Sequence, residues 1–184
     1  MNQIQYNPRV RFVYIVSALV LFVTTLSLVT KPVMRAVYPL KFDSSIKKHA
    51  TNYNLDEHLV MALICTESRF DEDAVSHKNA KGLMQLRDDT AKWCMEEFGI
   101  SGGTDSNDLN INIGCAYLRY LIDKYKGNIH TALAAYNAGE GNVSKWLKSQ
   151  GDDTVVLCSI PFDETENYVE KINQRVKIYK FLYS

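Results

Sequence analysis

The sequence predicts a mainly α-helical domain that follows a single N-terminal transmembrane helix. Three observations support this fold class. Residues 12–30 carry no charged side chain, and beyond residue 42 apolar residues recur at helical spacing. The only β-prone run, residues 154–158, is too short to support a sheet alone. We divide the chain into a short tail (1–11), a transmembrane anchor (12–30), a linker (31–41) and one helical domain (42–184).

The N-terminal apolar segment is long enough to cross a membrane. At ~1.5 Å rise per residue it would span roughly 30 Å as a helix, the thickness of a hydrocarbon core. The segment exceeds the ~7–15 residues of a signal-peptide core, and no small-x-small cleavage site follows it. We therefore favour an uncleaved anchor over a cleaved signal. Basic residues flank both of its ends, so the positive-inside rule does not give its orientation.

Caps and glycines delimit seven helices in the domain. Asp, Ser or Asn precedes several of them and can accept a hydrogen bond from the first turn, and four helices end at a glycine. The best periodic stretch is residues 111–126. A polar connection occupies residues 71–81. The predicted helices are 46–52, 56–70, 88–98, 111–126, 128–137, 142–150 and 163–183.

Glu67 lies on the face of the second of these helices that should be buried. The residues three, four, seven and eight positions before it are all apolar, namely Ile64, Leu63, Val60 and Leu59. No Lys or Arg lies three or four positions away, where it could form a local ion pair. Burial of the carboxyl should raise its pKa and favour the protonated form near neutral pH. Glu67 is therefore a candidate general acid, the alternative being a solvated Glu at a helix end.

Four segments are arranged as in a known family. Glu67-Ser68 is followed by GLMQL at residues 82–86, AYNAG at 135–139 and IPFDETENYV at 160–169. In this order and spacing they resemble the lytic transglycosylases of the soluble-lytic-transglycosylase type, which share their lysozyme-like fold with goose-type lysozymes. The resemblance covers about residues 42–184. It implies a mainly α, lysozyme-like catalytic domain whose substrate is the glycan strands of peptidoglycan.

The resemblance also implies roles for individual residues. Glu67 matches the catalytic Glu, which protonates the leaving oxygen and then takes a proton from the C6 hydroxyl of N-acetylmuramic acid, so that a 1,6-anhydro ring closes. Tyr136 matches a tyrosine whose hydroxyl approaches that carboxyl, and Glu164 and Tyr168 match a motif that supports the site from behind. The amide of Gln85 suits an acetamido group because it both donates and accepts. The substrate-binding positions are Ser68, Ser76, Met84, Gln85, Tyr136 and Asn137.

The chain departs from the family pattern in three places. Arg87-Asp88 stands where Met-Pro is usual, and Glu140 stands where Pro is common. Glu166 replaces an Arg of the closing motif, the segment at 160–169. Arg87 would change the wall of the sugar site and could favour lactyl or peptide carboxylates. The change at Glu166 removes a donor from the supporting motif. None of these changes removes a catalytic group, so activity is expected.

The balanced total charge conceals an acidic domain. Residues 1–41 hold five of the 21 basic side chains and no acidic one, which leaves 16 basic against 21 acidic side chains, a net charge of −5. An acidic domain disfavours nucleic acid and anionic lipid as ligands. The basic flanks of the apolar segment suit lipid head groups. The membrane is thus an expected partner of the N-terminal helix, while no protein partner is indicated.

The four cysteines allow two disulfides without fixing a pairing. Cys65 and Cys115 lie in apolar helical segments, where a small buried residue is the simpler interpretation. A bridge between Cys94 and Cys158 stays open. Because the cysteine spacing matches no zinc pattern and the histidines are not clustered with it, we expect no metal and no cofactor.

Three functions fit these features. The first is a membrane-anchored lytic transglycosylase with its catalytic domain on the outer, extracytoplasmic face of a bacterial cell membrane. The second is a muramidase that hydrolyses the same bond with water. The third is a non-catalytic protein that binds the cell wall. In that last case the motifs would be structural: a packed turn, a core aromatic residue and helix caps.

Overall fold

The computed structural model describes residues 7–102, 107–151 and 155–184. It separates into two units, one ending at Pro39 and the other comprising Leu40–Ser184, close to the predicted boundary after residue 41. In the described ranges, eight helices and no β-strand are found. The predicted mainly α fold class is therefore confirmed.

In its described part, which begins at residue 7, the first unit contains one helix, α1 (Pro8–Val37), 30 residues long. By length and composition it could cross a membrane, and none of its most apolar stretch is buried in the structure. The Asn7 side chain caps it by accepting a hydrogen bond from the N–H of Arg9 at 3.0 Å. The helix continues through Pro32, so most of the segment predicted as a linker is helical. A proline inside a helix removes one N–H donor and crowds the carbonyl four residues earlier, yet the residues on both sides of Pro32 are helical.

The second unit contains all seven predicted helices. Glycine, turn and cap positions divide the chain as the sequence indicates, and differences are confined to helix ends. The helices are α2 (Asp43–Asn52), α3 (Glu57–Glu67), α4 (Asp88–Glu97), α5 (Asn107–Lys124), α6 (Ile129–Ala138), α7 (Glu140–Gln150) and α8 (Asp163–Tyr183).

Helix α3 forms the centre of this unit. Residues 59–65 are all buried, so the helix is enclosed on every side rather than along one face. It packs most extensively on α8 and also contacts α2, while α5 packs on α2, α4 and α6. The C-terminal end of α3 emerges from this core, and Glu67 is its last residue.

The end of α3 is set by two residues in the left-handed region. The sequence predicts a helix to about Phe70, but Arg69 and Phe70 have φ values of 54° and 62°. These angles reverse the chain directly after Ser68. Phe70 then turns into the core, where it is 2% exposed and packs against Tyr179 with a ring-centroid distance of 6.3 Å. Because the helix ends at Glu67 and not near Phe70, the Glu67 side chain lies at the C-terminal end of α3.

The β-prone run forms no strand in its described part, residues 155–158, and Thr154 lies outside the described residues. Side chains satisfy the backbone there instead: the Leu157 N–H donates to Thr131 Oγ1 at 3.0 Å and the Cys158 N–H to Gln150 Oε1 at 2.8 Å. All four cysteines are free thiols, and Cys158 alone among them is exposed. The bridge between Cys94 and Cys158 that the sequence left open is therefore not formed.

Candidate active site

A cleft of about 510 Å³ opens beside the C-terminal end of α3. Its walls come from the loop between α3 and α4, the first turn of α4, the C-terminal end of α6 and the first turn of α8, with Tyr117 from α5. The structure brings together most of the predicted site residues in this cleft. Those that line it are Glu67, Ser76, Gln85, Tyr136, Asn137 and Glu164.

Glu67 is the acidic group that α3 delivers to the cleft. Its side chain is largely buried, and its Oε1 accepts a hydrogen bond from the hydroxyl of buried Tyr168 at 2.5 Å. Burial raises the pKa of Glu67 to about 7, and the hydrogen bond from Tyr168 opposes that rise. A carboxyl with this pKa populates both protonation states near neutral pH. It can therefore donate a proton in one step and accept one in the next.

The resemblance implies that the Tyr136 hydroxyl approaches Glu67, but the two tyrosines of the site have other partners in the structure. The Tyr136 hydroxyl donates to the backbone carbonyl of Met84 at 2.9 Å, whereas the hydroxyl on Glu67 belongs to Tyr168. The reason is the packing of α8 on α3, which brings Tyr168 directly against the C-terminal end of α3. Burial raises the pKa of both phenols well above the usual value, so both remain neutral donors. Tyr168 thus touches the acid itself.

The GLMQL segment is a tight turn between α3 and α4. Two antiparallel bridges, Val75 with Lys81 and Lys81 with Leu86, close it. Gln85 has a φ of 47°, and its Nε2 donates to the carbonyls of Ala74 and Gly82, both at 2.9 Å. The amide N–H groups of Gln85 are therefore engaged by the turn. In this structure its Oε1 is the part left for a ligand donor, and the contact of Gln85 with an acetamido group stays a prediction.

Ser68 and Met84 lie behind the cleft and are not part of its lining. The Ser68 side chain is buried, and its hydroxyl donates to the carbonyl of Ile64 at 3.2 Å, so it caps the end of α3. Met84 is fully buried, and its N–H donates to Asn110 Oδ1 at 2.8 Å. A Cβ placed on Gly114 would lie 2.3 Å from Met84 Sδ, so only glycine fits under this side chain. Both residues hold the site in place from below.

Some residues of the closing motif support the site, and one of them lines the cleft. The Thr165 hydroxyl donates to Asn137 Oδ1 at 2.8 Å, which fixes the orientation of the Asn137 amide at the cleft. Tyr168 supports the acid, as the resemblance implies. Glu164, expected to support the site from behind, is instead exposed and lines the cleft. It lies in the first turn of α8, which points toward the opening rather than into the core.

The three departures from the family pattern fall in different places. Arg87 lines the cleft, as expected for a change in its wall. Glu140 accepts a hydrogen bond from the hydroxyl of Tyr120 at 3.2 Å and pairs with Lys124, so α5 holds it away from a ligand. Glu166 is exposed and is not among the lining residues.

Sequence reasoning missed Arg175, a residue of α8 that binds the end of α3. Its Nη1 donates to the carbonyl of Cys65 at 3.1 Å and to Thr66 Oγ1 at 2.7 Å. These bonds satisfy the C-terminal end of α3 directly beside Glu67, where orphan carbonyls need donors. No local pattern could indicate this contact, because Arg175 and Cys65 are 110 residues apart in the chain.

The sequence of this domain matches a known family and its named relatives. A family model described as transglycosylase SLT domain matches residues 44–155. Soluble lytic murein transglycosylase of Escherichia coli strain K12 is 33% identical over 143 residues, which cover 73% of this chain and 22% of that protein. Membrane-bound lytic murein transglycosylase C of Cronobacter sakazakii is 29% identical over 167 residues, covering 76% of this chain and 46% of that protein. The chain thus spans less than half the length of these relatives.

Solved structures show the same fold. The 70 kDa soluble lytic transglycosylase of Escherichia coli aligns with a TM-score of 0.74 at 29% identity, covering 80% of this chain and 25% of that one. An inactive mutant of lytic transglycosylase Slt from Pseudomonas aeruginosa aligns with a TM-score of 0.71 at 35% identity, covering 79% and 25%. From its matching family model, its relatives and its helical architecture, this chain belongs to the transglycosylase SLT domain family and has the lysozyme-like fold of that family.

Proposed function

We propose that the helical domain is a peptidoglycan lytic transglycosylase. It cleaves the β-1,4 bond between N-acetylmuramic acid and N-acetylglucosamine and leaves 1,6-anhydro-N-acetylmuramic acid ends. The observation that carries the proposal is the largely buried carboxyl of Glu67, with a pKa of about 7, in the lining of a cleft of about 510 Å³. The relatives named as lytic murein transglycosylases support the reaction class.

In the first step Glu67 acts as a general acid. An unperturbed Glu is only about 0.2% protonated at pH 7, whereas a pKa of about 7 makes roughly half of the molecules ready to donate. The proton passes from the carboxyl to the bridging glycosidic oxygen. The bond from that oxygen to C1 of the muramic acid breaks, and an oxocarbenium-like centre forms at C1.

In the second step the same residue acts as a base. The Glu67 carboxylate takes the proton of the C6 hydroxyl, the C6 oxygen attacks C1, and the 1,6-anhydro ring closes. Glu67 ends protonated as it began, and no water is consumed. Between the two steps the Tyr168 hydroxyl, at 2.5 Å, stabilises the carboxylate.

The polar residues of the cleft suit a neutral acetamido sugar. The Oε1 atom of Gln85 can accept from an acetamido N–H, because the other end of its amide is held by Ala74 and Gly82. The oriented amide of Asn137 and the hydroxyl of Ser76 lie in the same lining. These groups would position the sugar without contributing charge at the reacting atoms.

Hydrolysis is the second candidate, and Glu164 is the observation that favours it. A glycosidase that uses water places a second carboxylate across the cleft to activate it. Glu164 is an exposed carboxyl in the lining, so it could fill that role. The chemical nature of the product separates the two reactions, since hydrolysis adds one water molecule to the new end.

The decisive experiment is digestion of purified peptidoglycan sacculi, followed by mass analysis of the released muropeptides. Anhydro ends are expected from the wild-type protein, and reducing ends would replace the transglycosylase proposal by the muramidase. Glu67→Gln should abolish release, while the exposed and non-lining Glu166→Gln serves as the matched control. Release that persists in Glu67→Gln would remove Glu67 from the mechanism, and no release by the wild-type protein would favour a wall-binding role.

We also propose that α1 anchors the catalytic domain at the extracytoplasmic face of the membrane. The apolar 30-residue helix and the relative named as membrane-bound support anchoring, and a cell-wall substrate requires the outer face. The full chain should sediment with membranes and resist high-salt extraction, and a chain beginning at Phe42 should stay in solution. Mature protein that begins after about residue 30 would show a cleaved signal instead.

A further inference from the structure

One polar side chain of α5 is buried directly behind the GLMQL turn. Asn110 is 6% exposed, and it is not part of the lining of the cleft that holds Glu67. We propose that Asn110 is a positioning residue, which fixes the turn against α5 and thereby sets where Gln85 stands. The proposal rests on the function proposed above and concerns how that site is held in place.

The Asn110 amide holds the turn at two points of its backbone. Its Oδ1 accepts a hydrogen bond from the N–H of Met84 at 2.8 Å, and its Nδ2 donates to the carbonyl of Lys81 at 3.1 Å. One side chain can do both because an amide carries an acceptor and a donor side by side. Backbone groups buried without a partner are unfavourable, so these two bonds favour the turn in this one position.

The turn and α5 also fit closely. A Cβ on Gly82 would lie 2.6 Å from Asn110 Nδ2, and a Cβ on Gly114 would lie 2.3 Å from Met84 Sδ. Asn110 and Gly114 are four residues apart in α5, so they lie on the same face of the helix. The turn therefore packs on this face without space between them, and Asn110 adds directional bonds to that contact.

Met84 is held between two helices. Its N–H is bound by Asn110 of α5, and its carbonyl accepts a hydrogen bond from the Tyr136 hydroxyl of α6 at 2.9 Å. The next residue, Gln85, shares a peptide group with that carbonyl and lines the cleft. The bond from Tyr136 alone would let the turn pivot about the carbonyl, and the bond from Asn110 removes this freedom. A displacement of about an ångström can lower a rate by on the order of 100-fold, so support of this kind affects function.

A purely structural role for Asn110 would have different kinetic consequences. Loss of stability lowers the fraction of folded enzyme, so kcat falls and KM stays the same. A displaced Gln85 weakens substrate binding, so KM rises and kcat changes little. Neither change involves the titration of Glu67, because α3 and Tyr168 hold that carboxyl.

The test measures the kinetics of muropeptide release from soluble glycan strands by the full chain in detergent. Asn110→Leu removes both hydrogen bonds, and KM should rise about five-fold, as the loss of one positioned hydrogen bond does. Asn110→Asp is a milder second variant, because it keeps the size and the acceptor for Met84 and loses the donor to Lys81. Its KM should rise at least about two-fold. The pH at which activity falls should stay the same in both variants.

Hydrogen exchange provides a measurement that needs no activity. The Met84 N–H is protected by Asn110, so it should exchange at least about ten-fold faster in Asn110→Leu, while the amides of α3 keep their rates. This readout reports on the turn even if the wild-type protein releases nothing or leaves reducing ends. Those two outcomes count against the proposed function alone.

Asn112→Leu is the matched control on the same helix. Asn112 accepts a hydrogen bond from the hydroxyl of Tyr53, the residue that follows α2, at 2.9 Å. Its loss should leave KM and the exchange of the Met84 amide unchanged. The inference is overturned if KM stays within about two-fold of the wild-type value in both Asn110 variants, with their helical circular dichroism intact, or if kcat alone falls. Unchanged exchange at Met84 in Asn110→Leu would overturn it as well.

Discussion

Replacing Tyr168 with phenylalanine tests how the acidity of Glu67 is set. The substitution removes one oxygen and leaves the ring that packs in the core between α8 and α3. The lost hydroxyl donates to Glu67 Oε1 at 2.5 Å and stabilises the carboxylate form. The pKa of Glu67 should therefore rise above its present value of about 7.

The size of the change follows from the difference between the two protonation states. A hydrogen bond to a charged group contributes about 1.5–3 kcal/mol, and the neutral carboxyl would keep a bond of about 1 kcal/mol to the same hydroxyl. The difference is about 0.5–2 kcal/mol, and one pH unit corresponds to about 1.4 kcal/mol. We expect the titration of Glu67 to move upward by about one pH unit.

The assay is the pH dependence of kcat/KM for release of muropeptides from sacculi. The free enzyme must be protonated at Glu67 to act as an acid, so activity should fall as the pH rises through about 7. In Tyr168→Phe this falling limb of the pH profile should lie about one pH unit higher. The titration of Glu67 can also be followed directly by NMR of a ¹³C-labelled carboxyl.

Tyr136→Phe is the matched control, because its hydroxyl donates to the carbonyl of Met84 and not to Glu67. Tyr136→Phe should change activity because it removes a hydrogen bond to the turn that contains Met84. The pH at which kcat/KM falls, which reports the titration of Glu67, should stay the same. If Tyr168→Phe leaves this limb in place or moves it to lower pH, the hydrogen bond from Tyr168 does not lower the pKa of Glu67, and its proposed role in tuning the acid is wrong.

Three further predictions concern stability. Because the folded state holds the pKa of Glu67 above its ordinary value of 4.5, protonation stabilises the fold fully below pH 4.5, and this stabilisation is lost as the pH rises through about 7. At pH 8 the free energy of unfolding of Glu67→Gln should therefore exceed that of the wild-type protein by up to about 3 kcal/mol, and at pH 5 the difference should be smaller. Equal gains at both pH values, measured by thermal unfolding, would contradict the buried acid. Gly114→Ala forces Met84 to move and should cost about 1–3 kcal/mol in urea unfolding, whereas Gly141→Ala, with open space around it in α7, should be neutral or slightly stabilising. Arg175→Ala removes two hydrogen bonds from the end of α3 and should cost about 1–3 kcal/mol in the same assay, and Arg175→Lys should restore only part of it; a cost below about 0.5 kcal/mol would show that water replaces the guanidinium.

The order of the helices could be predicted from the sequence because the residues that indicate a helix lie within it or next to its ends. Apolar spacing, cap residues and terminal glycines act within a few residues of each helix, and all seven predicted helices of the domain are present. One difference occurs where distant contacts lie at a helix end. Helix α5 begins at Asn107 rather than 111, and there Asp108 accepts hydrogen bonds from Ser45, at 2.6 Å, and from Lys48 and His49 of α2. Local spacing contains no information on such partners.

The candidate acid could also be found from the sequence, again for a local reason. The apolar residues one and two turns before Glu67 lie on its own helix, so the sequence alone predicts burial and a raised pKa, in agreement with the structure. The resemblance to a family then identified the segments that meet near it. Most of them do line one cleft with Glu67.

Only the tertiary structure decided what each polar atom of the site binds. The hydroxyl on Glu67 comes from Tyr168, 101 residues away, rather than from Tyr136, because α8 packs on α3. Likewise the donors of Gln85 are taken by its own turn. The sequence determines which side chains are available and which helix faces are buried, since these depend on composition and helical period. The partner of a hydrogen bond depends on how closely distant helices pack, to within an ångström. The spacing of apolar residues along the sequence does not give the distance between atoms on two such helices.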